Sequence, residues 1–159
     1  MKTLAELEIA RVEWNSLREL IGPADKIPAA LLDLFRASTE SAADAAYWRL
    51  ENHVVVQGQL FQAAEPVVSV LLAALLDQSP LHIRSRILEL LFQILSGHPD
   101  ESEVAASNEG LAERCKSKAR EGLWVLYREM REGEQDAARE CIELIELDRE
   151  RLQNMVNNL

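Results

Sequence analysis

The sequence is poor in the two residue types that most often interrupt helices, with only six glycines and five prolines among 159 residues. Because strand turns and flexible linkers depend on glycine and proline, their scarcity disfavours a β-rich fold and a string of linked domains. The main apolar run, Pro66 to Leu76, is bounded by Glu65 and Asp77, and it is well short of the roughly 18 residues that suggest a membrane span. The sequence therefore predicts one domain, residues 1–159, without a membrane segment.

Cysteine is also scarce. Cys115 and Cys141 belong to no Cys-x-x-Cys pair and to no spacing that would bind a metal, so we expect both to be reduced and partly buried. Residues 1–8 contain early acids and lack the apolar stretch of a secretion signal. These features favour a cytoplasmic location.

Motifs for catalysis or for cofactor binding are missing as well. The three histidines, His53, His82 and His98, are 29 and 16 residues apart, which is not a spacing of zinc ligands. Ser69 lies among apolar residues with no His or Asp near it in the sequence. The acidic C-terminal segment lacks the Glu-x-x-His repeats of a di-metal helix bundle. The sequence thus predicts no metal site, no cofactor and no enzymatic activity.

Positive charge is in short supply, and the formal net charge is −10. This balance disfavours binding to nucleic acids or to anionic membranes, both of which need a basic surface. Residues 132–150 hold eight acids against only Arg139 and Arg149. An acidic face can simply keep a small protein soluble, or it can bind a basic protein. For the second interpretation the candidate partner-binding residues are Glu132, Glu134, Asp136, Glu140 and Glu143.

Apolar residues are abundant and follow helical spacing along most of the chain. Residues 66–76 and 81–95 are apolar on most faces, so each must be covered by other helices and we expect them to form an inner layer. Thr3 with Glu6 forms a capping-box pattern, and we expect Ser41 and Ser79 to cap later helices. We interpret the three valines before Gly58 as a helix end and a bend, since no partner strand is evident. The pattern predicts about seven helices, at 4–21, 27–36, 42–51, 66–77, 81–95, 108–132 and 134–156.

Two segments, 46–61 (AYWRLENHVVVQGQLF) and 87–95 (ILELLFQIL), resemble stretches of small bacterial HEAT-repeat-like proteins. The two apolar helices joined by residues 77–80 also look like stacked HEAT-type repeats, in which each helix pair needs its neighbour to complete a core. The resemblance covers about residues 40–97. It implies an all-α fold, a short α-solenoid of antiparallel helix pairs. Some proteins of this kind are regarded as immunity proteins that neutralise toxins used between competing bacteria.

The most unusual local composition is a polar and aromatic cluster within residues 47–59. Tyr47, Trp48 and His53 are its candidate partner-binding residues, because Tyr, Trp and Arg are favoured at the centres of protein interfaces. The alternative is that the cluster lies at a helix end, where polar side chains form hydrogen bonds with backbone groups that have no partner within the helix.

From these features we expect a non-catalytic binding protein, most concretely an immunity protein that blocks the active site of a basic toxin domain. The alternative is a helical scaffold or adaptor in a stable cellular complex. An enzyme would need a closed pocket that contains a buried carboxylate or histidine with a perturbed pKa.

Overall fold

Ten α-helices, a short 3-10 helix and five two-residue strands make up the computed structural model, which describes residues 1–159. The helices are α1 Leu4–Ala10, α2 Ile27–Phe35, α3 Glu40–Val54, α4 Ala64–Leu76, α5 Leu81–Leu95, α6 Glu101–Ala105, α7 Leu111–Arg120, α8 Leu123–Glu132, α9 Gln135–Ile145 and α10 Arg149–Asn158. The strands are β1 Arg18–Glu19, β2 Gly22–Pro23, β3 Val55–Val56, β4 Gln59–Leu60 and β5 His98–Pro99. The prediction of a mostly helical chain is confirmed.

Helices α4 and α5 are the centre of the fold, as their apolar faces predicted. Helix α4 packs against α1, α5 and α7, and helix α5 packs against α3, α4 and α9. One continuous cluster of 44 buried residues extends from Ala5 to Leu152. Cys115 and Cys141 are free thiols inside this cluster, more deeply buried than we predicted. Burial raises the pKa of each thiol to about 12.

The chain contains more helices than the predicted seven because two long predicted helices are each divided and the short helix α6 forms where no helix was predicted. The segment 108–132 breaks at Gly122, where an added Cβ would lie 2.8 Å from the side chain of Leu72 on α4. The segment 134–156 breaks after Ile145, and Asp148 then caps α10 by accepting a hydrogen bond from the backbone N–H of Arg151 at 3.0 Å. Both breaks bring the chain back onto the core.

The predicted first helix, 4–21, is also wrong in its length, since α1 ends at Ala10. The indole Nε1 of Trp14 donates to the carbonyl of Ile9 at 2.9 Å and turns the chain away from the helix axis. Strands β1 and β2 then form a small hairpin, residues 18–23. The side chain of Arg18 donates to Glu103 at 2.6 Å, which attaches this hairpin to α6.

Helix caps are only partly as predicted. Thr3 and Glu6 form the expected capping box. Helix α3 begins earlier than predicted, and its cap is Thr39, whose side chain accepts from the N–H of Ala42 at 3.1 Å, in place of Ser41. At α5 the cap position is Pro80, and the hydroxyl of Ser79 makes no capping bond.

Helix α3 ends at Val54 and the chain turns at Gly58, as predicted, but Val55 and Val56 form a strand, so the expectation of no strand in this stretch is wrong. Strand β3 pairs antiparallel with β4 through a turn in which Gln57 and Gly58 have positive φ. Strand β4 pairs in parallel with β5, which comes from the stretch between the predicted helices 81–95 and 108–132. The partner of the valine strand is therefore local, and the third strand of the sheet lies about 40 residues further along the chain.

Candidate functional site

Three of the predicted acidic residues lie together on α9. Asp136, Glu140 and Glu143 are four and three residues apart, and all three are exposed on one face of the helix. The opposite face is buried in the core through residues such as Cys141 and Ile142. We define Asp136, Glu140 and Glu143 as the acidic row.

Charge within the acidic row is only partly neutralised. Arg139 donates to Glu143 at 2.9 Å, whereas Asp136 and Glu140 make no ion pair. The other two predicted acids lie before this helix. Glu132 is at the end of α8 and pairs with Arg131, and Glu134 is half-buried at the position that precedes α9.

An exposed tryptophan that the sequence analysis did not identify lies near the C-terminal end of α9. The Trp124 side chain is 61% exposed, and the guanidinium of Arg151 lies 5.5 Å from the centre of its ring. Arg151 in turn donates to both oxygens of Glu146 at 2.8 Å, directly after α9. The sequence did contain a signal, because Trp124 falls outside the apolar series that Leu123, Leu126 and Met130 define.

This contact network holds Trp124 in place. Glu146 is buried and accepts a third hydrogen bond, from the hydroxyl of Tyr127 at 2.9 Å. Hydrogen bonds from Arg151, the N–H of Asp148 and Tyr127 lower the pKa of Glu146 to about 2, although burial alone would raise it. The carboxylate is therefore ionised at neutral pH and fixes the position of Arg151 beneath the indole ring.

The aromatic cluster of α3 is less accessible than we expected. Tyr47 is 1% exposed, with its ring 5.2 Å from that of Trp48 and 5.5 Å from the guanidinium of Arg86. Its hydroxyl is buried without a hydrogen-bond partner, and burial together with nearby Glu51 and Glu89 raises its pKa. Tyr47 is thus a core residue in this structure, whereas Trp48 is 51% exposed and accessible to a partner.

His53, the third residue of that cluster, points away from Trp48 by about 140° around the helix, because five residues separate them. Its Nδ1 contacts a carboxylate oxygen of Glu19 on the 18–23 hairpin. The other carboxylate oxygen of Glu19 accepts from the N–H of Ile21 at 3.1 Å, and the N–H of Leu20 donates to the carbonyl of His53 at 3.0 Å. These bonds dock the hairpin on the end of α3.

A cleft of about 480 Å³ lies beside this docked hairpin, and we name it the hairpin cleft. The hairpin, the start of α2 and the last turns of α3 form its walls. Its polar lining is Glu19, Asp25, Lys26, Arg49 and His53, and its apolar lining includes Ile21, Pro23 and Ile27. The cleft was not predictable from the sequence, because the contact of His53 with Glu19 joins residues 34 positions apart.

Two further carboxylates are buried, and each is paired with an arginine. Glu103 accepts from Arg18, Asn108 and the N–H of Gln62, which outweighs the effect of burial and lowers the pKa of Glu103. Glu129 accepts from Arg84 at 2.6 Å. Through these ion pairs, the two carboxylates attach segments of the chain to one another.

The structure contains no group of three or more His, Cys, Asp or Glu side chains that could hold a metal ion. None of its helices combines the length and the apolar character needed to cross a membrane. No family model matches the sequence, and no curated protein and no solved structure matches it with significance.

Proposed function

We propose that this chain is a non-catalytic binding module, most concretely an immunity protein that binds a basic toxin domain and occludes its active site. The observation that carries the proposal is the acidic row on α9, with an immobilised, exposed Trp124 near the end of the same helix. The two features correspond to the two parts of a protein interface, charge for association and an aromatic anchor for retention.

The acidic row supplies the attraction. Asp136 and Glu140 make no ion pair, in a chain whose formal net charge is −10. Complementary charge raises the rate at which two proteins meet and fixes their orientation more than it raises affinity. Glu132 and Glu134, at the other end of α9, extend the negative potential toward α8.

Trp124 supplies the anchor. Tryptophan is enriched among the few interface residues that carry most of the binding energy. Its contact with Arg151 reduces the motion that a partner would otherwise have to restrict, and such preorganisation lowers the entropic cost of binding. Leu147, which is 76% exposed directly after α9, adds apolar area at the same end. Trp48 on α3 is a second candidate contact.

The proposed scaffold is a short HEAT-like solenoid in the bacterial cytoplasm, where Cys115 and Cys141 would stay reduced. In support of this arrangement, helices consecutive in the chain pack on each other, α2 on α3, α4 on α5 and α8 on α9. In support of a non-catalytic role, the three buried glutamates are all paired with arginines. The proposed partner is a protein, and we include neither nucleic acid nor membrane.

The test starts with the tagged full-length chain, purified from its native cells at low and at high salt. A single stoichiometric basic partner that is lost as salt rises supports the proposal. The association rate of that partner is then measured with the double variant Glu140→Lys/Glu143→Lys and with a control of equal charge change, Glu13→Lys/Glu109→Lys. Slower association for the α9 variant alone is expected. Equal rates, or a partner that belongs to a housekeeping complex, would overturn the proposal.

A further inference from the structure

We propose that the hairpin cleft binds a small organic anion, with one carboxylate or phosphate group on an apolar body. This site is separate from the acidic row and does not depend on the proposed protein partner. Its volume of about 480 Å³ lies within the range of small-molecule sites, roughly 300–1,000 Å³.

The free polar groups of the cleft favour an anion. Glu19 is occupied, since one of its oxygens contacts His53 and the other accepts from the backbone of Ile21. Lys26 makes no ion pair, and Arg49 uses only one of its nitrogens, at 2.5 Å from Asp33 outside the cleft. Of the charged lining groups, only Asp25 and Lys26 are left without a partner, and Arg49 keeps N–H donors that are not used.

The lining holds two acids and two cations, in a chain with 27 acids and 17 Lys and Arg residues, so the cleft is less negative than the chain as a whole. Arg49 is paired with Asp33 through one nitrogen and keeps its other N–H donors free, whereas Arg151 donates to both oxygens of Glu146. A planar guanidinium with free N–H donors is suited to a carboxylate or a phosphate. Arg49 and Lys26 are therefore the groups that would bind the anionic head.

A ring nitrogen of His53 and a backbone N–H belong to the same lining. The Nδ1 of His53 contacts Glu19, so Nε2, which has no hydrogen-bond partner, is the ring nitrogen left for a ligand. In the first turn of α2, the N–H groups of Ile27 and Ala30 donate backbone hydrogen bonds, whereas the N–H of Ala29 has no acceptor. Ile21 and Ile27 line the remaining wall and would contact the apolar body.

The lining contains no Ser, Thr, Cys or Tyr, so the cleft holds no hydroxyl or thiol nucleophile. A contact between a histidine and a carboxylate resembles part of a catalytic triad, but here it attaches a hairpin to a helix and has no nucleophile beside it. We therefore propose binding and not covalent catalysis at this cleft.

The test is an NMR titration of the full-length protein with three probes that share a six-carbon body: hexanoate, hexyl phosphate and uncharged hexanol. We expect saturable shifts of the Ala29 amide and the His53 ring signals with at least one anion, and binding about tenfold weaker for hexanol. Tighter binding of hexanoate assigns a carboxylate ligand, and tighter binding of hexyl phosphate assigns a phosphate; either result supports the site.

Two variants remove the cations, Arg49→Gln and Lys26→Gln, and we expect each to weaken anion binding about fivefold or more. Both residues are exposed, so the fold should be preserved. The matched control is Arg36→Gln, an exposed arginine that pairs with Glu6 outside the cleft. The proposal is overturned if no anion gives saturable shifts at about 10 mM, or if Arg36→Gln weakens binding as much as the cleft variants. No protein partner enters this assay, so its failure leaves the proposed function untouched.

Discussion

Glu146 and Arg151 are joined by two hydrogen bonds of 2.8 Å across the turn between α9 and α10. Glu146 is buried, whereas Arg151 extends to the surface and lies over the ring of Trp124. The pair therefore has two consequences. It fixes the last helix of the chain to α9, and it positions the most exposed aromatic side chain near the proposed binding surface.

The first prediction is that Glu146 makes stability depend on acid pH. Its pKa is about 2 in the folded protein, below its ordinary value, so its stabilising effect is present at neutral pH and is lost as the pH falls toward 2. Glu146→Gln should reduce the free energy of unfolding by about 3 kcal/mol at pH 7, and the difference from the wild type should shrink between about pH 5 and pH 2. Denaturant unfolding across this range is the measurement, with the exposed Glu150→Gln as control. A difference that does not change with pH would contradict the assignment.

The second prediction concerns Glu103, which attaches α6 to the 18–23 hairpin. Its carboxylate accepts hydrogen bonds from Arg18, Asn108 and the backbone of Gln62. Glu103→Ala leaves these donors without an acceptor and should cost about 2–3 kcal/mol of unfolding free energy. Hydrogen exchange should rise first at the N–H of Ala24 and of Ala63, which bond to Leu17 and Arg18. The control is Glu101→Gln on the same helix, and equal exchange in both variants would argue against this role.

The third prediction is that Gly97 is required where β5 meets β4. An added Cβ would lie 2.9 Å from the carbonyl oxygen of Gly58, which already accepts from the N–H of His98 at 2.8 Å. Gly97→Ala should therefore destabilise the protein by about 1–3 kcal/mol, measured by urea unfolding. Gly110→Ala is the control, since its Cβ would meet only the flexible end of Arg114. Similar midpoints for the two variants would contradict this prediction.

The sequence predicted the helices whose apolar spacing and end residues lie within the helix itself or directly beside it. Helix α5 begins at Leu81 and ends at Leu95, as its wide apolar face and the preceding proline indicated. The capping box was also predictable from the sequence, because Thr3 and Glu6 are only three residues apart. The central position of α4 and α5 was predictable because both helices are apolar on most faces and must be covered by other helices.

The sequence did not predict features that depend on distant partners. Strand β4 needs β5, and the attachment of the 18–23 hairpin needs the contact of Arg18 with Glu103, 85 residues away. The hairpin cleft depends in the same way on the contact of His53 with Glu19. The break after Ile145 had a local signal that we did not use, the Asp148 cap, which is a residue type favoured at helix starts.

The last prediction separates the two parts of the proposed interface. Trp124→Ala should leave the fold intact, since the side chain is mostly exposed, but it should raise the dissociation rate of the basic partner about 30-fold or more. Charge reversal at Glu140 and Glu143 should instead lower the association rate and remove much of its salt dependence. Surface plasmon resonance at several salt concentrations measures both rates. The comparison variant is Trp48→Ala, because Trp48 is the second candidate contact and is exposed to a similar degree on α3. If Trp48→Ala accelerates dissociation and Trp124→Ala does not, the partner binds α3 and the assignment to α9 is wrong.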